Sequence, residues 1–192
     1  MNDEIRLVGI SGSLRKSSFN TKLLKAALQL LPTDTSMQIV SIADIPIYNA
    51  DFDLPDAAAR PAVVEQFRAT LAKADGLLIA SPEYNYSIPG GLKNAIDWAS
   101  RGKDSPLLNK PIAVIGATPG MWGTVRMQMN FLGIYLYMNM KPVYKPEILV
   151  SKAGEKFDKE GNLIDEKTKE LLQQKLEALK ELILHERAEA MH

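Results

Sequence analysis

Apolar positions along this chain alternate between two spacings: short continuous runs, and longer stretches with apolar residues every three to four positions. Residues 5–10 are a short apolar run ending in Ser11-Gly12-Ser13, which predicts a strand and then a turn. Over residues 19–31, Leu23, Leu24, Ala27, Leu28 and Leu31 fall at helical spacing. Ser17 and Ser18 stand where an N-cap belongs, and Pro32 stops the helix. Residues 38–42 read as a second strand, and Pro61 opens a second helix that runs to about Lys73. Residues 76–80 are almost wholly apolar, the pattern of a strand buried on both faces. A third helix over 89–99, a fourth strand over 112–117 and a fourth helix over 122–138 follow. Residues 143–150 read as a fifth strand interrupted by Pro146, hence an edge. A polar turn at 157–162 precedes a final amphipathic helix from Glu166, with Leu172, Leu176, Leu179 and Ile183 on one face.

Parallel strands need crossover helices, so this alternation predicts an α/β fold: a doubly wound, five-stranded parallel sheet with helices on both faces. No linker, repeat or low-complexity stretch divides the chain. Its 192 residues are expected to form one domain, long enough to bury about 70% of the unfolded surface.

Composition removes several function classes. Lys+Arg and Asp+Glu both number 23, so the basic excess that a phosphate backbone demands is missing and no nucleic-acid partner is expected. Without cysteine there can be no disulfide, thiolate zinc site or thiol nucleophile. The two histidines, His185 and His192, sit in the tail, far from any strand end, and no metal site is expected. No apolar run approaches the ~20 residues of a membrane helix. The start, Met1-Asn2-Asp3-Glu4, is acidic rather than leader-like, which points to a cytoplasmic protein.

In open α/β sheets, ligands bind beyond the carboxyl ends of the strands. The first such loop carries the hydroxyls of Ser11, Ser13, Ser17 and Ser18, the Arg15 guanidinium and the Asn20 amide, and runs into a helix N-terminus. Free N–H groups and the dipole there favour an anion, and the donor set suits a terminal phosphate monoester. A P-loop and a dinucleotide fingerprint both need glycines that are absent, and a hydrolase elbow would need glycine at Ser13. The same residues also read as a capped turn without a ligand.

The loop after the third strand, Ser81-Pro-Glu-Tyr-Asn-Tyr-Ser-Ile-Pro-Gly90, has the aromatics and amides to border a flat heteroaromatic ligand. Asn85-Tyr86-Ser87 also matches a glycosylation sequon, which needs a secretory context not visible here. Taken together, Gly12-Ser-Leu-Arg-x-x-Ser-x-Asn20, Pro82-Glu-Tyr-Asn-x-Ser-x-Pro-Gly90 and Leu92-Lys-Asn-Ala-Ile-Asp-Trp98 resemble the NADPH-dependent FMN reductase family of quinone, chromate and azo-dye reductases. Thr118-Pro-Gly120, Arg126 and the 157–162 turn extend the resemblance over nearly the whole chain.

The resemblance implies a flavodoxin-like fold with FMN and NADPH or NADH as cofactors. It implies that Ser11, Ser13, Arg15, Ser18 and Asn20 hold the FMN phosphate, with Phe19 beside them. Pro82, Glu83, Tyr84 and Asn85 would line the isoalloxazine and ribityl chain, with Tyr86 near the ring or a partner subunit. Thr118, Pro119 and Gly120 would close the far side. Where many relatives have a Gly-Gly pair before the matching arginine, this chain has Gly123-Thr124-Val125, so no role is carried over to Arg126.

A bound flavin would carry the electronic chemistry and the protein the geometry, so no catalytic side-chain acid or base is expected. Ping-pong turnover would pass electrons from NAD(P)H to small-molecule acceptors: quinones, azo or nitro compounds, chromate or free flavin. A flavodoxin-type electron carrier is the alternative, although carriers are usually acidic on the docking face, and a non-catalytic flavin-binding module is a third. The fourth helix is apolar almost all round, so it is either buried in its own core or shared with a second copy. The resemblance favours a homodimer or a dimer of dimers.

Overall fold

The structure, a computed structural model, describes residues 4–53 and 60–190; the Met1-Asn2-Asp3 start and His192 lie outside the described residues. Four main strands, β1 (Ile5–Ser11), β2 (Thr35–Val40), β3 (Gly76–Ala80) and β4 (Pro111–Ala117), pair in parallel in the order β2-β1-β3-β4. Five helices accompany them: α1 (Phe19–Gln29), α2 (Ala62–Ala72), α3 (Gly90–Ala99), α4 (Val125–Met138) and α5 (Glu166–Glu189). Alternate strand residues serve opposite faces. Val8, Ile10, Leu77, Ile79, Ile112 and Val114 pack against α2, α3 and α4. Leu7, Leu78, Ala80, Ala113 and Ile115 pack against α1 and α5, where Leu172, Leu176, Leu179 and Ile183 are fully buried as their spacing predicts. The sheet is therefore doubly wound and flavodoxin-like, as expected.

The largest boundary differences from the sequence expectation are at β2 and α4. β2 begins at Thr35 and ends at Val40, because its register is set by β1 from Ile5↔Thr35 to Ile10↔Val40. Ile42 leaves the strand and turns into the core beside α2. The helix expected from Trp122 starts at Val125, since Gly123 and Thr124 hold left-handed backbone with φ of 58° and 69°. A Cβ at Gly123 would lie 2.6 Å from the carbonyl carbon of Leu149, so only glycine fits there.

The fifth strand is two short pieces, β5 (Lys141–Pro142) and β6 (Leu149–Val150), pairing with the two ends of β4. Residues 143–148 swing away between them. Pro142 and Pro146 have no N–H to give to a ladder, and a buried lysine on α5 takes over part of the pairing: Lys175 Nζ donates to the carbonyls of Val143 and Tyr144.

Among the described residues no helix is long and apolar enough to cross a membrane, and no cluster of acidic, histidine or cysteine side chains could hold a metal.

Candidate active site

Strand order reverses at β1: the chain runs from β1 out to β2, then back past β1 to β3. The loops leaving the carboxyl ends of β1 and β3 therefore diverge and open a crevice between them. The β1 loop can come close to the β3 loop because residue 12 is glycine. Its N–H donates to Ala80 O at 2.8 Å, and an added Cβ would meet Ser81 Cβ at 2.8 Å. The resulting cleft, about 320 Å³, is bounded by three loops.

From the β1 loop come Ser13, Arg15, Ser18, Phe19 and Asn20. Ser18 is the N-cap of α1, its hydroxyl accepting from the N–H groups of Asn20 (3.2 Å) and Thr21 (3.3 Å). No acidic residue occupies the first turn of α1. The N–H of Phe19, at the first helical position, has no partner among the described residues. Arg15 is exposed and bends back to donate from Nη2 to Ser17 O at 2.9 Å. This end of the cleft thus offers hydroxyls, a guanidinium and a free N–H at a helix start, with no competing carboxylate. A phosphate monoester fits that donor set.

Two residues of this group do something else. Ser11 turns away from the cleft, its hydroxyl 2.8 Å from Thr21 Oγ1, so the structure does not bring it among the phosphate donors. Asn20 lines the cleft but spends its amide on the β4 loop: Nδ2 donates to Ala117 O (2.9 Å) and Oδ1 accepts from Ala117 N–H (2.8 Å). It fixes the distance between the β1 and β4 loops and has one N–H left over.

From the β3 loop come Pro82, Glu83 and Tyr84. Asn85 and Tyr86 form the tip of a two-residue turn, with φ of 50° and 62°, closed by paired hydrogen bonds between Tyr84 and Ser87. This tip stands outside the cleft. Glu83 borders the cleft, yet its carboxylate points into the protein. Oε2 accepts from the N–H groups of Arg126 (2.9 Å) and Met127 (3.1 Å), and Oε1 from Arg126 Nη1 (3.0 Å). The far wall is Ala117, Thr118 and Pro119; Gly120 lies just beyond it, its N–H on Thr118 Oγ1.

Sequence reasoning missed Ala117, whose contribution is backbone and leaves no side-chain signal. It also missed the setting of Arg126. That guanidinium lies 4.0 Å from the centre of the Tyr86 ring and 5.4 Å from that of Trp122, an exposed stack beside the β3 loop.

Residues 5–155 match the NADPH-dependent FMN reductase family. The chain belongs to that family. An NAD(P)H-dependent FMN reductase of Pseudomonas aeruginosa is 45% identical over 179 residues, covering 93% of this chain and 95% of the relative. A quinone reductase of Escherichia coli is 38% identical over 185 residues, covering 95% and 97%. Among solved structures, the flavoenzyme NAD(P)H:(acceptor) oxidoreductase FerB of Paracoccus denitrificans superposes with a TM-score of 0.84 at 33% identity, over 94% of this chain and 98% of that one. This FMN reductase is accordingly an enzyme that uses FMN and NAD(P)H.

Proposed function

We propose that the protein oxidises NAD(P)H and reduces quinones, with azo, nitro, chromate and free-flavin acceptors as further substrates, by ping-pong turnover in one cleft. The observation that carries this reading is the cleft itself, at the β1/β3 switch point, with phosphate donors at one end and open walls at the other. FMN, when bound, supplies the two-electron chemistry: a hydride taken from NAD(P)H, then two electrons and protons given to the acceptor.

The chain's residues do the holding. Ser13, Arg15, Ser18 and the Phe19 N–H bind the phosphate. Pro82, Tyr84 and Pro119 supply flat walls that exclude water from the ring. On this reading no side chain has an acid or base role, and the carboxylate that borders the cleft, Glu83, is engaged by α4. Water supplies the proton that completes a hydroquinone.

In this reading donor and acceptor use the same space of that cleft in turn. Initial rates with NADPH and benzoquinone varied together should give parallel double-reciprocal lines; intersecting lines would contradict turn-taking. The FMN reductase and quinone reductase names of the relatives support the choice of acceptors.

The outer face of α4 favours a homodimer, and its pairing into a dimer of dimers. Met127, Phe131, Tyr135 and Met138 are buried in the chain's own core, while Met129, Leu132, Leu136 and Tyr137 on the other side are exposed. One side of this helix is core, so the apolar outer side is the surface a second copy would cover. A single 192-residue domain acting in the cytoplasm accords with a composition free of cysteine.

A further inference from the structure

We infer that Glu83 is a positioning residue: its carboxylate ties the β3 loop to the start of α4 and sets the ring half of the cleft independently of the phosphate half. The inference rests on the FMN-dependent reading above. It begins from a missing cap. The residue at the N-cap of α4, Thr124, has left-handed backbone and makes no side-chain capping bond. Capping hydroxyls and carboxylates normally come from the N-cap residue itself. Here the acceptor arrives from 43 residues upstream: Glu83 Oε2 takes the N–H groups of both Arg126 and Met127, while Oε1 pairs with Arg126 Nη1.

The side chain is only 12% exposed, and both oxygens are filled by donors from α4. Its negative charge is matched by the Arg126 guanidinium and by the positive end of the helix, so it can border an anion site without repelling the ligand. The rest of the loop is fastened to the same helix. Asn130 Nδ2 donates to Tyr86 O at 3.0 Å, and Arg126 stacks on the Tyr86 ring. Tyr86 has φ of 62°, a conformation a bulky residue keeps only when its surroundings hold it.

Pro82 and Tyr84, the neighbours of Glu83 in the chain, are cleft walls. Releasing the carboxylate would therefore loosen those walls and the α4 start together. The phosphate donors Ser13, Arg15 and Ser18 belong to the β1 loop, which reaches the far wall through Asn20 and Ala117 and not through Glu83. Ring placement and phosphate affinity should separate.

The experiment compares the full-length wild type with Glu83→Ala, Glu83→Gln and Arg126→Ala. Amide hydrogen exchange on the FMN-free proteins reads the tie directly. Glu83→Ala should speed exchange at Arg126, Met127 and the 84–87 turn by roughly tenfold or more, and leave the start of α1 unchanged. Glu83→Gln keeps an acceptor for the helix and should restore most of that protection. FMN affinity, from fluorescence titration, should move by less than roughly threefold in every variant, whereas flavin reduction by NADPH in stopped flow should slow by roughly ten- to a hundredfold in Glu83→Ala.

Unchanged exchange at Arg126 and Met127 in Glu83→Ala would overturn the inference. So would a loss of FMN affinity in step with the loss of rate, which would make Glu83 a direct ligand. If Glu83→Ala does not fold, Arg126→Ala, which breaks the Oε1 pair, carries the comparison: slower flavin reduction with FMN affinity held supports the tie, and unchanged reduction overturns it. A wild type that takes up no FMN would overturn the cofactor reading alone, and the exchange arm would still decide the tie.

Discussion

Arg15 lies in the loop before α1 and Asn20 in its first turn, five residues on, and the two are held in different ways. Asn20 is buried and bonded twice to Ala117, across 97 residues of sequence. Asn20→Ala removes two hydrogen bonds and strands a buried N–H and C=O, so unfolding in urea should show a loss of about 2–4 kcal/mol. Arg15 is exposed and bears little of the fold. Arg15→Ala should leave the urea midpoint in place and weaken FMN binding by roughly ten- to a hundredfold, the worth of one charge-assisted contact. The sequence marks both as site residues, because amides and guanidinium groups at a helix start are anion donors by chemistry. Which of them faces the ligand and which braces the loop is decided by Ala117, a partner that only folding brings near Asn20. Ser11 and Glu83 teach the same thing: a polar group at a strand end has two directions to turn, and its residue type does not select one.

Elements were legible where their periodicity is long. α5 follows its leucine spacing, and β3 and β4 are apolar on both faces, as strands covered by helices on each side must be. Ends set by tertiary contact were not. The start of α4 depends on left-handed backbone at Gly123 and Thr124 and on a carboxylate from another loop. The split edge strand depends on Lys175, which the helical pattern places on an apolar face without saying why.

Burial pulls the Lys175 ammonium from its ordinary 10.5 down to about 8. Below about pH 8 it is charged both folded and unfolded, and the fold bears the full cost of burying it. Between about 8 and 10.5 the unfolded chain binds a proton that the folded chain does not, so stability climbs with pH across that window. Urea midpoints taken between those limits should rise for the wild type and rise less for Lys175→Met. Equal slopes would show that the buried amine titrates as it does in the unfolded chain.

At the scale of the whole molecule, the alternation of strand and helix sufficed to predict the doubly wound sheet, and the sheet's strand order places the cleft. What alternation leaves unwritten is strand order itself, since 2-1-3-4-5 and its rivals share one pattern of elements. The family resemblance implied a flavodoxin-like sheet, and the structure gives its order. The outer face of α4 was also only half legible: an all-apolar helix says that both sides want cover, not which side the chain covers itself. Leu136 is 85% exposed at the centre of that face. Leu136→Glu should shift the protein toward monomer in sedimentation velocity, with little change in the urea midpoint of the monomer; an unaltered sedimentation coefficient would place the subunit contact elsewhere.

On the proposed reading, the cleft between the β1 and β3 loops holds FMN by its phosphate. The most direct measurement is the visible absorption spectrum of the purified protein after incubation with excess FMN and desalting, before and after anaerobic NADPH. One flavin per chain should be retained through desalting and bleached by NADPH. A protein that leaves the column colourless would contradict it.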